Sequence, residues 1–177
     1  FLIAMPSMGD PHFSRGLTLL CQHDGQGAMG LVINRLSEYC LGDVLSQMGI
    51  ETGNQSLART AVLAGGPVNP ERGFVLHDDP RPWDSTLRIR DSLYVTTSRD
   101  ILEAMARGDG PQRSLVMLGY AGWEAGQLES ELLDNAWLTL GASEDLIFSE
   151  PLESRWQAAV RRLGVDPASL TDYAGHA

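Results

Sequence analysis

The densest run of residues able to bind or react is Gly119-Tyr120-Ala121-Gly122-Trp123-Glu124-Ala125-Gly126-Gln127. Its glycines let backbone approach another molecule closely. Between a strand and a helix, such a segment would point amide donors at an anion. Glu124 already sits beside that dipole, so the competing reading is tight packing under Tyr120 and Trp123. The spacing is not G-x-G-x-x-G, which excludes a dinucleotide fingerprint. A second glycine turn, Gly65-Gly66-Pro67-Val68, is followed by Arg72. A guanidinium there offers a forked donor for carboxylate or phosphate; otherwise it pairs with a nearby acid. The candidate ligand-binding residues are therefore Gly65, Gly66, Arg72, Gly119, Tyr120, Gly122, Trp123 and Gln127.

Other reactive types lack partners at useful spacing. His77 precedes Asp78 and Asp79, and His12 follows Asp10. Metal ligation needs three or four converging groups, so no metal site is assigned and both histidines read as surface or hydrogen-bonded. Cys21 and His23 share a strand face, which permits thiolate activation, but a small buried hydrophobe is the simpler role. Thr96-Thr97-Ser98 offers hydroxyls at a helix start, without the G-x-S-x-G elbow of a nucleophilic serine. Glu129 and Glu131 point to different helix faces, and Glu124 and Glu131 share one as solvated acids commonly do. No catalytic residue is assigned, and no cofactor.

Composition narrows the classes further. The chain has 177 residues, with 13 basic against 23 acidic side chains and a formal charge of −10. Every basic residue is Arg. Schiff-base chemistry, pyridoxal phosphate attachment and the P-loop clamp all need Lys and are excluded. The acidic balance argues against direct nucleic-acid binding, which relies on clustered positive charge. No apolar run approaches the roughly 18 residues of a membrane span. Cys21 and Cys40 have no C-x-x-C spacing and no visible signal peptide precedes them, so a reducing cytoplasm is expected.

The elements that must position these residues alternate between strands and helices. Short apolar runs predict strands at 1–5, 17–21, 29–33, 61–64, 74–76, 86–89, 93–96, 115–118 and 137–140. A short helix is predicted at 43–48, and a surface loop at 51–60 and again at 78–85. Thr97-Ser98-Arg99-Asp100 fits a capping box for a helix carrying Ile101, Leu102 and Met105, which Gly108 would end. A helix over 125–135 follows the glycine-rich run. Leu152, Trp156, Ala159, Val160 and Leu163 form one stripe of a last helix, closed by Gly164. The rhythm is not the regular βαβ of a doubly wound sheet, so the class is α+β.

These segments also carry a resemblance. AMPSMGDPHF (4–13), GAMGLVINR (27–35), GGPV (65–68), RGFVLH (72–77), TTSRDIL (96–102), LGYAGWEAGQLESEL (118–132), NAWL (135–138) and GHA (175–177) occur in one order, nearly end to end. In them the chain resembles the YqgE/AlgH family of bacterial proteins. Gln22 stands where an acid is common in that family, and Leu36 where proline is common. The resemblance implies a single domain over 1–177 with a bifurcated mixed sheet that includes a small closed β-barrel, surrounded by helices. Family members are mostly of unassigned biochemical activity, with a suggested role in regulating alginate synthesis, written as transcriptional regulation. The expectation is a cytoplasmic regulatory or interaction protein, acting on an unknown protein partner or small molecule and not at a membrane. The alternative is a small-molecule binder or enzyme with a pocket near the GGPV and GYAGW segments.

Overall fold

The computed structural model describes residues 1–170; the GHA segment lies outside the described residues. In chain order the elements are β1 (Leu2–Ala4), β2 (Leu17–Asp24), β3 (Gly27–Val32), β4 (Leu36–Cys40), α1 (Leu41–Gln47), α2 (Gln55–Ala58) and β5 (Ala61–Ala64). Then come β6 (Val68–His77), β7 (Thr86–Arg90), β8 (Leu93–Thr96), α3 (Arg99–Ala106), β9 (Ser114–Glu124), α4 (Gln127–Leu133), β10 (Trp137–Thr139) and α5 (Arg155–Arg162). A π-helical turn at Asp145–Ser149 and a 3-10 turn at Leu152–Ser154 precede α5. Mixed helices and a largely antiparallel sheet bear out the α+β class.

Several boundaries differ from expectation for identifiable reasons. The stretch 51–60 is not all loop: Asn54 Oδ1 accepts the Leu57 amide at 3.1 Å and caps α2. The 119–127 run does join a strand to a helix, but the strand extends to Glu124 and not to 118, because Gly27–Gly30 of β3 pair with Ala121–Glu124, and Gly126 is the N-cap of α4. The Thr97 capping box does not form. Ser98 is the N-cap of α3, and its hydroxyl donates to Asp100 Oδ1 at 2.6 Å. Strand β4 was not expected; its Leu36 and Tyr39 are exposed, which hides the apolar pattern.

The chain forms two compact units. The first holds Phe1–Arg35, Gly65–Val68 and the chain from Tyr120. Its strands run antiparallel in the order β10-β1-β2-β3-β9. An Asx turn, with the Gln26 amide on Asp24 Oδ1 at 2.8 Å, closes the β2–β3 hairpin. Leu2, Ala4, Ala121, Trp123, Leu128 and Trp137 pack as one buried cluster. Helix α5 is pinned to β1 by the Trp156 indole, which donates to the Ala4 carbonyl at 3.0 Å. The buried Arg155 guanidinium donates to the carbonyls of Ile33 and Glu150.

The second unit holds Leu36–Ala64 and Asn69–Gly119. Strand β4 pairs antiparallel with β5, and β5 runs parallel to β9, with Leu63 opposite Met117. Strands β6, β8 and β7 form an antiparallel set in that order, and β6 follows β9 in the sheet. Leu41, Leu45, Val62, Val75, Ile101 and Val116 are among its buried core, shared by α1, α3 and the strands.

Candidate ligand-binding cavity

A cavity of about 550 Å³ lies wholly within the second unit. Local periodicity builds its walls. Helix α1 contributes Val44, Gln47 and its C-cap Met48, spaced as one helical face, and α3 contributes Arg99 and Leu102 three apart. Glu71, Gly73 and Val75 alternate along β6, with Phe74 between them also reaching the cavity, and Val116 and Leu118 share one face of β9. Phe74, Leu102, Val75 and Val116 make the floor apolar. Tyr39, Asp43, Glu71, Thr96, Thr97 and Ser98 supply polar groups. An apolar body with a few convergent polar groups is the usual character of a small-molecule site.

The polar groups are held by a dense set of hydrogen bonds. Thr96 is fully buried, and its Oγ1 lies 2.7 Å from His77 Nε2 and 2.8 Å from Thr86 Oγ1. The Asp79 amide donates to His77 Nδ1 at 3.1 Å. That nitrogen is therefore an acceptor, so the ring proton sits on Nε2 and points at Thr96. Burial pushes the His77 pKa below its ordinary value, opposed by the nearby Asp79 and Asp78 carboxylates. A neutral imidazole that already donates to Thr96 cannot take its proton, so the wall hydroxyl is not an activated nucleophile.

Arg99 is likewise committed. Its Nε donates to Glu103 Oε1 at 2.6 Å and its Nη1 to the Met48 carbonyl at 2.5 Å. Asp43 Oδ2 accepts the Cys40 amide at 2.9 Å and the Cys40 thiol at 3.2 Å. Those bonds hold the Asp43 carboxyl below its ordinary pKa.

None of the eight residues singled out from the sequence lines this cavity. Arg72 lies between two that do, Glu71 and Gly73, and its guanidinium sits over the Phe74 ring at 5.3 Å. Gly119 belongs to the second unit and has φ of +76°. The other six belong to the first unit. There the Gly65 carbonyl accepts the Val32 amide at 2.8 Å. Gly66 lies against Tyr120 so closely that a Cβ would stand 2.1 Å from the Tyr120 carbonyl carbon. A Cβ on Gly122 would meet only ordinary contacts, 3.5 Å from the Tyr120 ring. Trp123 and Gln127 are brought together by Glu131. Oε2 accepts the indoles of Trp123 and Trp137, both at 2.8 Å, and Oε1 accepts the Gln127 amide at 3.2 Å.

The remaining candidates find local roles. Asp10 accepts the His12 backbone amide, not the ring. His23 pairs with Glu129. Burial pushes the Cys21 thiol up to about 12, against thiolate chemistry. Sequence reasoning missed Tyr39, Asp43, Glu71 and Gly73 as cavity residues. The legible signals were the 43–48 helix, the Thr96–Ser98 hydroxyls and the RGFVLH strand, but no local pattern tells which strands converge.

The AlgH-like family profile matches residues 1–168. The chain belongs to the AlgH-like family. Its relatives include a UPF0301 protein of Xanthomonas campestris, 60% identical over 99% of this chain and 94% of that protein. A UPF0301 protein of Stenotrophomonas maltophilia is 61% identical over 99% of this chain and 93% of that one. Among solved structures, the AlgH protein from Pseudomonas aeruginosa matches with a TM-score of 0.82 and 50% identity, covering 99% and 93% of the two chains. A Corynebacterium diphtheriae protein matches in fold, with a TM-score of 0.73 and 22% identity over 99% and 90%. The AlgH-like assignment fixes the fold; the names of these UPF0301 relatives state no activity.

Proposed function

We propose that this AlgH-like chain is a regulatory binding protein, not an enzyme, whose second unit takes a small, largely apolar molecule. The cavity of about 550 Å³ carries the reading, because its size and apolar floor suit one small ligand. Its threonine and serine hydroxyls make structural bonds, as does Arg99, which favours binding over turnover. The regulatory role comes from the family resemblance, and the cytoplasm from the two free thiols. Among the described residues no helix is long and apolar enough to cross a membrane. The chain acts as one domain in this reading, which the family profile's span across both units supports. Of the eight residues chosen from the sequence, six serve as framework in the first unit, and Arg72 and Gly119 as parts of β6 and β9 in the second. The small closed barrel implied by the resemblance is assigned to the second unit, where closure would have to join β4 and β7, the two ends of the strand order β4-β5-β9-β6-β8-β7. Slow amide exchange along the outer edges of β4 and β7 would fit closure, and rapid exchange would count against it.

A substitution at Gly73 tests the binding reading. Gly73 lines the cavity, its φ is not positive, and an added Cβ meets nothing within 4 Å. Gly73→Ile therefore starts its side chain into open space at an unstrained backbone and suits a strand. A thermal-shift and NMR screen of small apolar molecules should yield ligands that stabilise the parent by mass action. Gly73→Ile should keep its fold and lose those shifts. Ligand shifts that survive in Gly73→Ile would place binding elsewhere and overturn the reading.

A further inference from the structure

We infer that His77 is an acid-operated latch: a second proton on its ring unseats the segment 78–85 from the second unit. The ring is fully buried, and its two nitrogens face different parts of the chain. Nε2–H donates to Thr96 of β8 at 2.7 Å, and Tyr94 of the same strand stacks on the ring with centroids 5.7 Å apart. Nδ1 accepts the Asp79 amide at 3.1 Å. Protonation leaves the first bond as it is, because that nitrogen is already a donor. It sets two N–H groups against each other at the second, so the disturbance falls on the Asp79 side alone.

The other ties of the segment run through the same residue. Asp79 Oδ1 accepts the Arg81 amide at 2.9 Å, and Oδ2 accepts Arg81 Nε at 2.8 Å. The Arg81 guanidinium lies over the Trp83 ring at 4.7 Å, and Trp83 packs on the core of the second unit. Next in the chain, the Asp84 amide donates to Asp100 Oδ2 at 2.8 Å and the Ser85 amide to Ser98 Oγ at 3.0 Å. The charges that act on the His77 ring are the Asp79 and Asp78 carboxylates and the Arg81 cation. Asp78 is held by Arg113 Nε at 2.8 Å. Arg88 of β7, opposite Tyr94, pairs with Asp91, and Asp100 and Glu103 of α3 are taken by Ser98 and Arg99. Asp79 is thus the carboxylate that accepts the new Nδ1–H. In turning to it, Asp79 lets go of Arg81, which keeps Asp109, and the cation leaves the Trp83 ring. The effect reaches the cavity wall, because Thr97 and Ser98 line the cavity and are bonded to Ser85.

NMR of the full chain from about pH 7.5 to about pH 5 reads each step. Ring nitrogen shifts should place the neutral His77 proton on Nε2. The Trp83 indole N–H is buried with no hydrogen-bond partner among the described residues, so its exchange with water reports the seating of the segment. As His77 titrates, protection of that proton should fall about tenfold or more, and the amides of Asp79, Ser85 and Thr97 should shift with the same midpoint. The indoles of Trp123, Trp137 and Trp156, held by Glu131 and the Ala4 carbonyl, should keep their protection. His77→Gln supplies an acceptor and a donor that do not titrate, and it should keep Trp83 protected throughout. The titration of the parent is decisive without that variant. A His77 that titrates while Trp83 stays protected, a ring neutral down to about pH 5, a neutral proton on Nδ1, or loss of all four indoles together would each overturn the latch.

Discussion

At the scale of single residues, the two glycines that sequence treats alike are physically unlike. A Cβ at Gly66 would lie 2.1 to 2.4 Å from Tyr120 and Ala121 backbone atoms, and φ there is +154°. Backbone cannot yield as a flexible side chain can, so Gly66→Ala should cost about 3 kcal/mol. Gly122→Ala should be neutral, or stabilising by up to about 1 kcal/mol through the unfolded chain. Chemical denaturation of the pair measures the contrast, and equal losses would contradict it. Glu131 is a second sharp case, because one carboxylate serves two indoles and an amide. Glu131→Ala orphans those donors and should cost roughly 2 kcal/mol, with altered tryptophan emission, whereas Glu131→Gln retains an acceptor and should cost less.

At the scale of elements, the start of α3 distinguishes an expected cap from the observed one. Thr97 Oγ1 meets Ser85 Oγ at 3.0 Å on the surface, outside the helix. Thr97→Ala should therefore change stability by no more than about 0.5 kcal/mol. Asp100 instead receives the Ser98 hydroxyl and the amides of Ile101 and Asp84. Burial would raise its pKa, but these hydrogen bonds outweigh burial and lower it. Asp100→Ala should cost roughly 1–3 kcal/mol; a thermal melt that ranks Thr97→Ala as the worse variant would restore the capping box. The comparison also explains what sequence could carry. Hydrophobic runs placed β5 and β8 at the ends they have, because those signals are local. The strand character of 119–124 depends on β3, distant in the chain, and the π turn at Asp145–Ser149 has no local signature. The cavity was illegible for the same reason: α1, β6, β8, α3 and β9 supply it together.

For the whole molecule, pH acts through several groups of one sign. His77 has its pKa lowered first by burial, so the folded chain binds its proton less readily than the unfolded chain. Its contribution is complete above the unfolded value of roughly 6.5 and is lost as pH falls through the lower folded value. Asp79, held low by its bonds from Arg81, and Asp100 add a further loss below about 4. Stability should thus fall on acidification in two stages, and His77→Gln should remove the upper one. Unfolding free energies that stay flat from neutrality down to about pH 5 would refute that assignment. The charge of −10 also bears on the chain as a whole. No specific duplex DNA binding is expected at physiological salt, and submicromolar, salt-sensitive retardation of a promoter fragment would contradict this.

The contrast between the two cysteines has a practical use. Desolvation pushes the Cys21 thiol up to about 12, away from the reactive thiolate, while Cys40 sits at the start of α1 with its sulfur on Asp43, a residue of the cavity wall. An alkylating dye should therefore mark Cys40 faster than Cys21 with no engineering. The protein brings its own reporter, one side chain removed from the chamber it would watch.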